Sequence, residues 1–263
     1  MSAATATARK AIIVTGASRG LGLAVVQSLL ESNARVLGVS RSSLASSPAL
    51  AQLANAHPTT YTHLSEDLAD ETAATRIIDQ CISTFGRLDG VVHNAGILAP
   101  LAKLATAPLA QVRTAFDVNF FAGLALAQAA LPHLRTARGR FILVSSGAAV
   151  TAYSGWGAYC TSKAAGNMLV AALGVEEEDV ISVALRPGVV DTEMQAEIRA
   201  DGKEAMGDSN HGKFVDLHSS GKLLSADVPG VVIANLALEA TKDLSGKFLS
   251  WDDKDLAAYQ KRS

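Results

Sequence analysis

Short runs of apolar and β-branched residues recur along the chain: AIIVTG, ARVLGVS, TTYTHL, LDGVVHNAG, GRFILVSS, DVISVALRPG and KFLSW, separated by longer segments of helical period. Runs that are continuously apolar suit strands buried on both faces, and their alternation with helices predicts a parallel sheet of about seven strands with helices on each side, a doubly wound α/β domain. In the third intervening segment the apolar positions Ala74, Ile77, Ile78, Cys81, Ile82 and Phe85 fall on one helical face, with Asp70 placed to cap its start and Gly86 to end it. GAYCTSKAAGNMLVAAL, residues 157–173, contains no breaker and is rich in small residues, which predicts a long helix able to pack closely. No fixed-period repeat or low-complexity linker interrupts the pattern. One domain is expected over residues 10–263, behind a flexible stretch of residues 1–9. Residues 199–222, polar and rich in glycine after a strand end, are expected to form a mobile loop or lid.

Composition narrows the function classes. Of 263 residues 49% are hydrophobic and 18% charged, with a formal net charge of −2, so no basic field for nucleic acid or an anionic membrane is present. No run of about 18 apolar residues predicts a membrane span, and the opening MSAATATARK lacks the apolar core of a secretory signal. A cytoplasmic protein is expected, with Cys81 and Cys160 reduced on helices. The six histidines show no metal-ligand spacing, and no G-x-S-x-G elbow suggests a serine hydrolase.

The first strand runs into TGASRGLG, residues 15–22, and then into a helix with Leu21, Val25, Ser28 and Leu29 on one side. A glycine-rich turn here lets backbone N–H groups approach a pyrophosphate at a helix N-terminus, so Gly16, Ser18, Arg19, Gly20, Leu21 and Gly22 are candidate dinucleotide contacts. The spacing is Gly16-x3-Gly20-x-Gly22, not G-x-G-x-x-G. Where an NAD site ends its second strand with an acid, this chain has Ser40 and Arg41. Together with Arg19 they offer two guanidiniums for a 2′-phosphate, and NADP(H) is the expected cofactor.

Tyr159 and Lys163 stand four apart in YCTSK, on one face of the predicted helix. With TGASRGLG, Asp67-Leu68, HNAG at 93–96, Asn119, Ser146 and RPGVVDT at 186–192, the pair completes a series of motifs in order. Over residues 10–250 the chain resembles the short-chain dehydrogenase/reductase family, and GWGAYCTSKAAGNML and PGVVDTEMQ look like its sepiapterin reductase and benzil reductase branch. The resemblance implies a Rossmann fold. It also implies that Tyr159 donates a proton, Lys163 holds the ribose and assists the tyrosine, Ser146 orients the substrate carbonyl, and Asn119 supports a proton relay. Asp67 and Leu68 would meet the adenine, Asn94, Ala95 and Gly96 line the cofactor channel, and Pro187, Gly188, Val190 and Thr192 hold the nicotinamide end. HNAG departs from the family's more frequent Asn-Asn-Ala-Gly at His93, read here as a strand-end residue without a catalytic role.

Hydride reduction of a ketone creates an alkoxide that must be protonated as it forms. Bringing a phenol from near 10 to near 7 for that task takes about 4 kcal/mol. One ammonium at ~5 Å, at an effective dielectric of ~20, supplies about 3 kcal/mol, so Lys163 is expected to lower Tyr159 most of the way. Ser146, at the end of the strand RFILVSS, can converge with Tyr159 on one oxygen; Ser145 is a rival from sequence alone, and the family spacing selects Ser146. Tyr153, Trp156 and Met194 offer aromatic and apolar surface for a substrate pocket walled by residues 147–156 and 193–222. The expected activity is an NADPH-dependent reduction of a small ketone or diketone, aromatic or pterin-like, by a homodimer or homotetramer. An NADP-dependent alcohol dehydrogenase of secondary metabolism and a noncatalytic NADP-binding sensor are the alternatives.

Overall fold

A computed structural model describes residues 9–261 of the protein; most of the expected flexible terminus, residues 1–8, lies outside them. All seven predicted strands are present: β1 (Ala11–Thr15), β2 (Arg35–Ser40), β3 (Tyr61–Ser65), β4 (Gly90–His93), β5 (Arg140–Val144), β6 (Ile181–Arg186) and β7 (Phe248–Ser250). They form one parallel sheet in the order β3-β2-β1-β4-β5-β6-β7. The register shows why the strands read as unbroken apolar runs. Ile12 faces a core cluster with Val25, Leu29, Val232 and Leu236, whereas its neighbour Ile13 faces another with Ile77, Leu126, Phe141 and Val170. Successive side chains point to opposite faces, and both faces are covered.

The first face carries α1 (Gly20–Glu31) and α9 (Asp227–Glu239). The second carries α3 (Ala73–Phe85), α5 (Ala122–Ala137) and α6 (Gly157–Glu176). Two shorter helices, α2 (Pro48–Ala56) and α4 (Leu109–Phe116), complete the first two thirds of the chain. Each fully buried Ile or Leu contributes roughly 1.5–3 kcal/mol of transfer free energy, so the two layers fix the sheet on which the site is mounted. Gly86 ends α3 in the left-handed conformation (φ 74°), as its place in the sequence predicts. Asp70 does not cap the helix. Thr72 occupies that position, and the Asp70 carboxylate instead accepts the Thr72 N–H at 2.8 Å, one turn before the helix proper.

The apolar stretch Leu109–Ala137 is long and apolar enough to cross a membrane by length and composition. Its residues Leu126, Ala127, Ala130 and Leu134 are nonetheless buried in the core of the sheet. A π-helical turn, Asp117–Phe121, joins α4 to α5 and carries Asn119 inward.

Residues 199–222 are not a loop. They finish α7 (Glu193–Asp201) and form the whole of α8 (Lys203–Ser219), broken at Gly207, whose φ of 73° and ψ of 163° are outside the helical region. A polar segment is held in helical form because Met206 and Phe214 are buried in a third apolar cluster with Trp156, Tyr159 and Ile198.

Candidate active site

The strand order reverses direction at β1, and a cleft opens at the carboxyl ends of the strands beside it, where doubly wound sheets bind ligands. It has a volume of about 1140 Å³, and every site residue named from the sequence lines it except Asn119.

At one end lies the glycine turn. Gly16 and Gly20 have φ of 66° and 53°. A β-carbon at Gly22 would sit 2.1 Å from the Gly16 carbonyl oxygen, and one at Gly16 2.8 Å from Asn94 Nδ2. These positions admit only glycine. Asn94 ties the turn in place: its Nδ2 donates to the Thr15 carbonyl at 3.0 Å, and its backbone N–H donates to Thr15 Oγ1 at 3.1 Å. The N-terminus of α1 has no side-chain cap, so its leading N–H groups face the cleft region unspent. That uncapped end and the crowded glycines fit a pyrophosphate.

The end of β2 has no carboxylate. Ser40 is almost buried there, and the Arg41 guanidinium has no partner among the described residues. The expected clamp of two arginines is not assembled, because Arg19 Nη1 is held by Glu193 Oε2 of α7 at 2.7 Å. Packing brings this about: Thr192 lies so close to the glycine turn that a β-carbon at Gly20 would meet its methyl at 3.2 Å.

At the other end the strand β5 and the helix α6 converge. Tyr159 hydrogen-bonds Ser146, whose Oγ also accepts the Ala148 N–H at 3.1 Å. Ser145, the rival in sequence, is buried, and its hydroxyl donates to Asn167 Oδ1 at 2.5 Å. Lys163 Nζ lies 5.8 Å from the Tyr159 ring centre and donates to the Val144 carbonyl at 2.8 Å. Gly96 lets the chain pass close to Asn119 and Lys163: a β-carbon there would stand 3.2 Å from Asn119 Oδ1 and 3.3 Å from Lys163 Nζ. Asn119 is behind this wall, 1% exposed. Its side chain accepts from Ile97 N–H at 2.8 Å and donates to the Ile97 carbonyl at 2.9 Å and to Ser162 Oγ at 3.0 Å, so its amide is spent on holding the channel and α6 together.

The expected lowering of the tyrosine is not found in the protein by itself. Burial pushes the Tyr159 phenol up to about 12, outweighing the hydrogen bond from Ser146. The same burial pushes Lys163 down to about 8. Spacing on a helix reveals that two groups meet, but not how much water both lose. Both shifts leave useful states at neutral pH: a phenol that still carries its proton and an ammonium that is mostly charged. His93 lies in the strand core, 1% exposed, and is pushed down to about 3 by burial and by the Lys163 charge, a neutral structural group.

Tyr153, Trp156 and Met194 do come together. The Trp156 ring is 4.9 Å from Tyr153 and meets Tyr159 edge-on at 5.9 Å, with Met194 packed on the same cluster. Sequence reading missed Phe214, which stacks on Trp156 at 5.2 Å and 27° and lines the cleft. Its signal was the apolar set Met206, Phe214 and Leu217 inside an otherwise polar segment. Trp156 Nε1 and Gln195 Oε1 are buried at this end without a hydrogen-bond partner.

A family model described as short chain dehydrogenase matches residues 10–203. The chain is 45% identical over 246 residues to an uncharacterised oxidoreductase of Schizosaccharomyces pombe, covering 93% of this chain and 97% of that protein. It is 36% identical over 263 residues to a benzil reductase ((S)-benzoin forming) of Saccharomyces cerevisiae, covering 95% and 99%. Among solved structures, a short chain dehydrogenases/reductase from Saccharomyces cerevisiae superimposes with a TM-score of 0.91 at 32% identity, covering 96% of this chain and all of that one. A blue fluorescent protein from a metagenomic library, solved in complex with NADPH, has a TM-score of 0.78 at 26% identity, covering 94% and 98%.

Proposed function

Because the chain belongs to the short-chain dehydrogenase family, oxidoreductases acting on CH–OH and C=O groups, we propose that it is an NADPH-dependent carbonyl reductase of small ketones or diketones. The observation that carries this reading is the meeting of Ser146, Tyr159 and Lys163 at the inner end of a cleft whose outer end holds Arg41, unpaired among the described residues, and a second strand that ends in Ser40 instead of an acid. The NADPH complex of one structural relative supports the coenzyme, and the benzil reductases support a substrate with two adjacent carbonyls flanked by aryl rings.

The residues present fit a dinucleotide. The glycine turn and the open N-terminus of α1 would hold its pyrophosphate, Ser40 and Arg41 its 2′-phosphate, and Lys163 its nicotinamide ribose. The reduced coenzyme, when bound, supplies the hydride. Ser146 donates a hydrogen bond to the substrate carbonyl oxygen and fixes its direction. Tyr159 gives its proton to that same oxygen as negative charge grows there, a task for which a protonated phenol is the correct state. Lys163, charged below about pH 8, stabilises the phenolate left behind. Asn119 keeps Ile97 and Ser162 in register beneath them. Tyr153, Trp156, Met194 and Phe214 form an apolar wall suited to a flat aryl group.

The test is NADPH consumption with benzil and a panel of small diketones. Turnover by the parent chain and its loss in Tyr159→Phe support the reading, and equal turnover in both defeats it. A cytoplasmic location accords with one solved relative, described as a cytoplasmic protein of Saccharomyces cerevisiae. Assembly as a homodimer or homotetramer is proposed from the exposed apolar residues Leu109 of α4, Phe121 of the π-helical turn, and Met168 and Val175 of α6, with light scattering as the check.

A further inference from the structure

The end of β2 carries a small polar network with no place in the proton chemistry. β2 and β3 are paired in parallel with Gly38 opposite His63 and Ser40 opposite Ser65, so Tyr61, His63 and Ser40 share one face of the sheet. His63 Nε2 lies 2.8 Å from the Ser42 carbonyl oxygen and 3.2 Å from Ser40 Oγ, and Tyr61 Oη lies 3.1 Å from His63 Nδ1. The proton positions follow. A carbonyl only accepts, so Nε2 carries the hydrogen; burial holds His63 below its ordinary pKa, so the ring is neutral, Nδ1 is bare and the Tyr61 hydroxyl donates to it. The Ser40 hydroxyl donates to the same Ser42 carbonyl at 3.2 Å and therefore accepts from Nε2–H. Space for the arrangement is reserved in the strand: a β-carbon at Gly38 would stand 2.7 Å from Tyr61 Oη.

We propose that His63 positions the Ser40 hydroxyl for the coenzyme's 2′-phosphate and so acts, from the third strand, as a determinant of NADPH over NADH. A phosphate oxygen can only accept, whereas the single O–H of Ser40 is spent on Ser42. His63 keeps the Ser42 carbonyl paired when Ser40 turns that hydrogen to the phosphate, and its own donation to Ser40 Oγ strengthens the serine as a donor. Without the histidine, turning Ser40 would strand a carbonyl, and the serine would stay with it. Arg41, unpaired beside Ser40 in the cleft lining, supplies the charge; His63 supplies the directed neutral donor.

The inference rests on the NADP(H) reading above, and the experiment separates the two. Calorimetry on the full chain compares adenosine 2′,5′-bisphosphate with adenosine 5′-monophosphate. The parent should bind the bisphosphate more tightly. His63→Leu should weaken the bisphosphate about tenfold, the worth of one hydrogen bond to a charged group, while leaving the monophosphate within about twofold. His63→Gln, which keeps an N–H donor, should recover most of the loss, and His63→Leu in a Ser40→Ala background should add nothing. Should His63→Leu fail to fold, Tyr61→Phe, which releases the ring from its fixed tautomer, should weaken the bisphosphate selectively by about two- to threefold. Equal weakening of both nucleotides, or none of either, overturns the role of His63 and leaves the coenzyme reading standing. A parent chain indifferent to the 2′-phosphate overturns both.

Discussion

The two walls of the cleft are built by opposite means. The wall that carries Ser146, Tyr159, Lys163 and the glycine turn stands on strand ends and a long helix, with its polar atoms tied to backbone: Lys163 to Val144, Asn119 to Ile97, Asn94 to Thr15. The facing cover, α7 and α8, is polar over most of its surface, is broken at Gly207, and is attached through a few apolar side chains and one exposed ion pair. Chemistry that depends on position to a fraction of an ångström sits on the first wall. In the proposed function, recognition of the substrate falls to the second, which reaches the proton donor through the Trp156 ring.

Variants on the two walls should therefore differ in kind. Tyr159→Phe should lower kcat by about a thousandfold, within the range of a lost general acid, while NADPH binding measured by fluorescence titration is retained. If the coenzyme is lost as well, the wall is less independent than its geometry states. Next in size is the pH response. Lys163 is pushed down to about 8, so kcat/KM for reduction should be flat below that and fall about tenfold from pH 7 to pH 9 as the ammonium discharges. Stability should move the other way. The folded lysine gives up its proton more readily than the unfolded one, so the folded state binds fewer protons between about pH 8 and the ordinary lysine value, and resistance to urea should rise through that window. A profile without a break near 8 would remove Lys163 from the charged role.

On the cover, Phe214→Ala should raise KM for an aryl diketone by about fivefold, as a stacked aromatic partner is lost, with kcat for a small aliphatic ketone little changed. An equal fall in kcat for both substrates would show that the cover also positions the catalytic wall. Smallest of all should be Glu193→Gln. Its pair with Arg19 is about two thirds exposed on both sides, and exposed pairs contribute roughly 0–1 kcal/mol, so NADPH affinity should change by no more than about twofold.

The same division explains what could be read from the sequence. The strands declared themselves because a strand covered on both faces has no polar position, and Ile12 and Ile13 bury in different cores. Tyr159 and Lys163 were legible from a helical spacing, whereas the strand end pointed to Ser145 or Ser146 and the family spacing chose Ser146. Neither the upward shift of the phenol nor the pairing of Arg19 could be read, since both arise from neighbours remote in the chain: the packing around the tyrosine, and Glu193. Residues 199–222 were misjudged because α8 meets the third apolar cluster through Met206, Phe214 and Leu217, too few apolar positions to imprint a helical period on a polar segment. Asn119 shows the reverse case: its position was found, but its amide is committed to the backbone of Ile97.

The central place of the first strand has a bearing on biosynthesis. β1 pairs with β2 on one side and, through Ile12 and Gly90, with β4 on the other. A ribosome that has just released β4 has therefore delivered every strand of the nucleotide-binding half, while α6 with Tyr159 and Lys163 is still to be made. The glycine turn and Arg41 thus leave the ribosome well before the residues that close the cleft, so the order of synthesis runs from the coenzyme side to the reacting side.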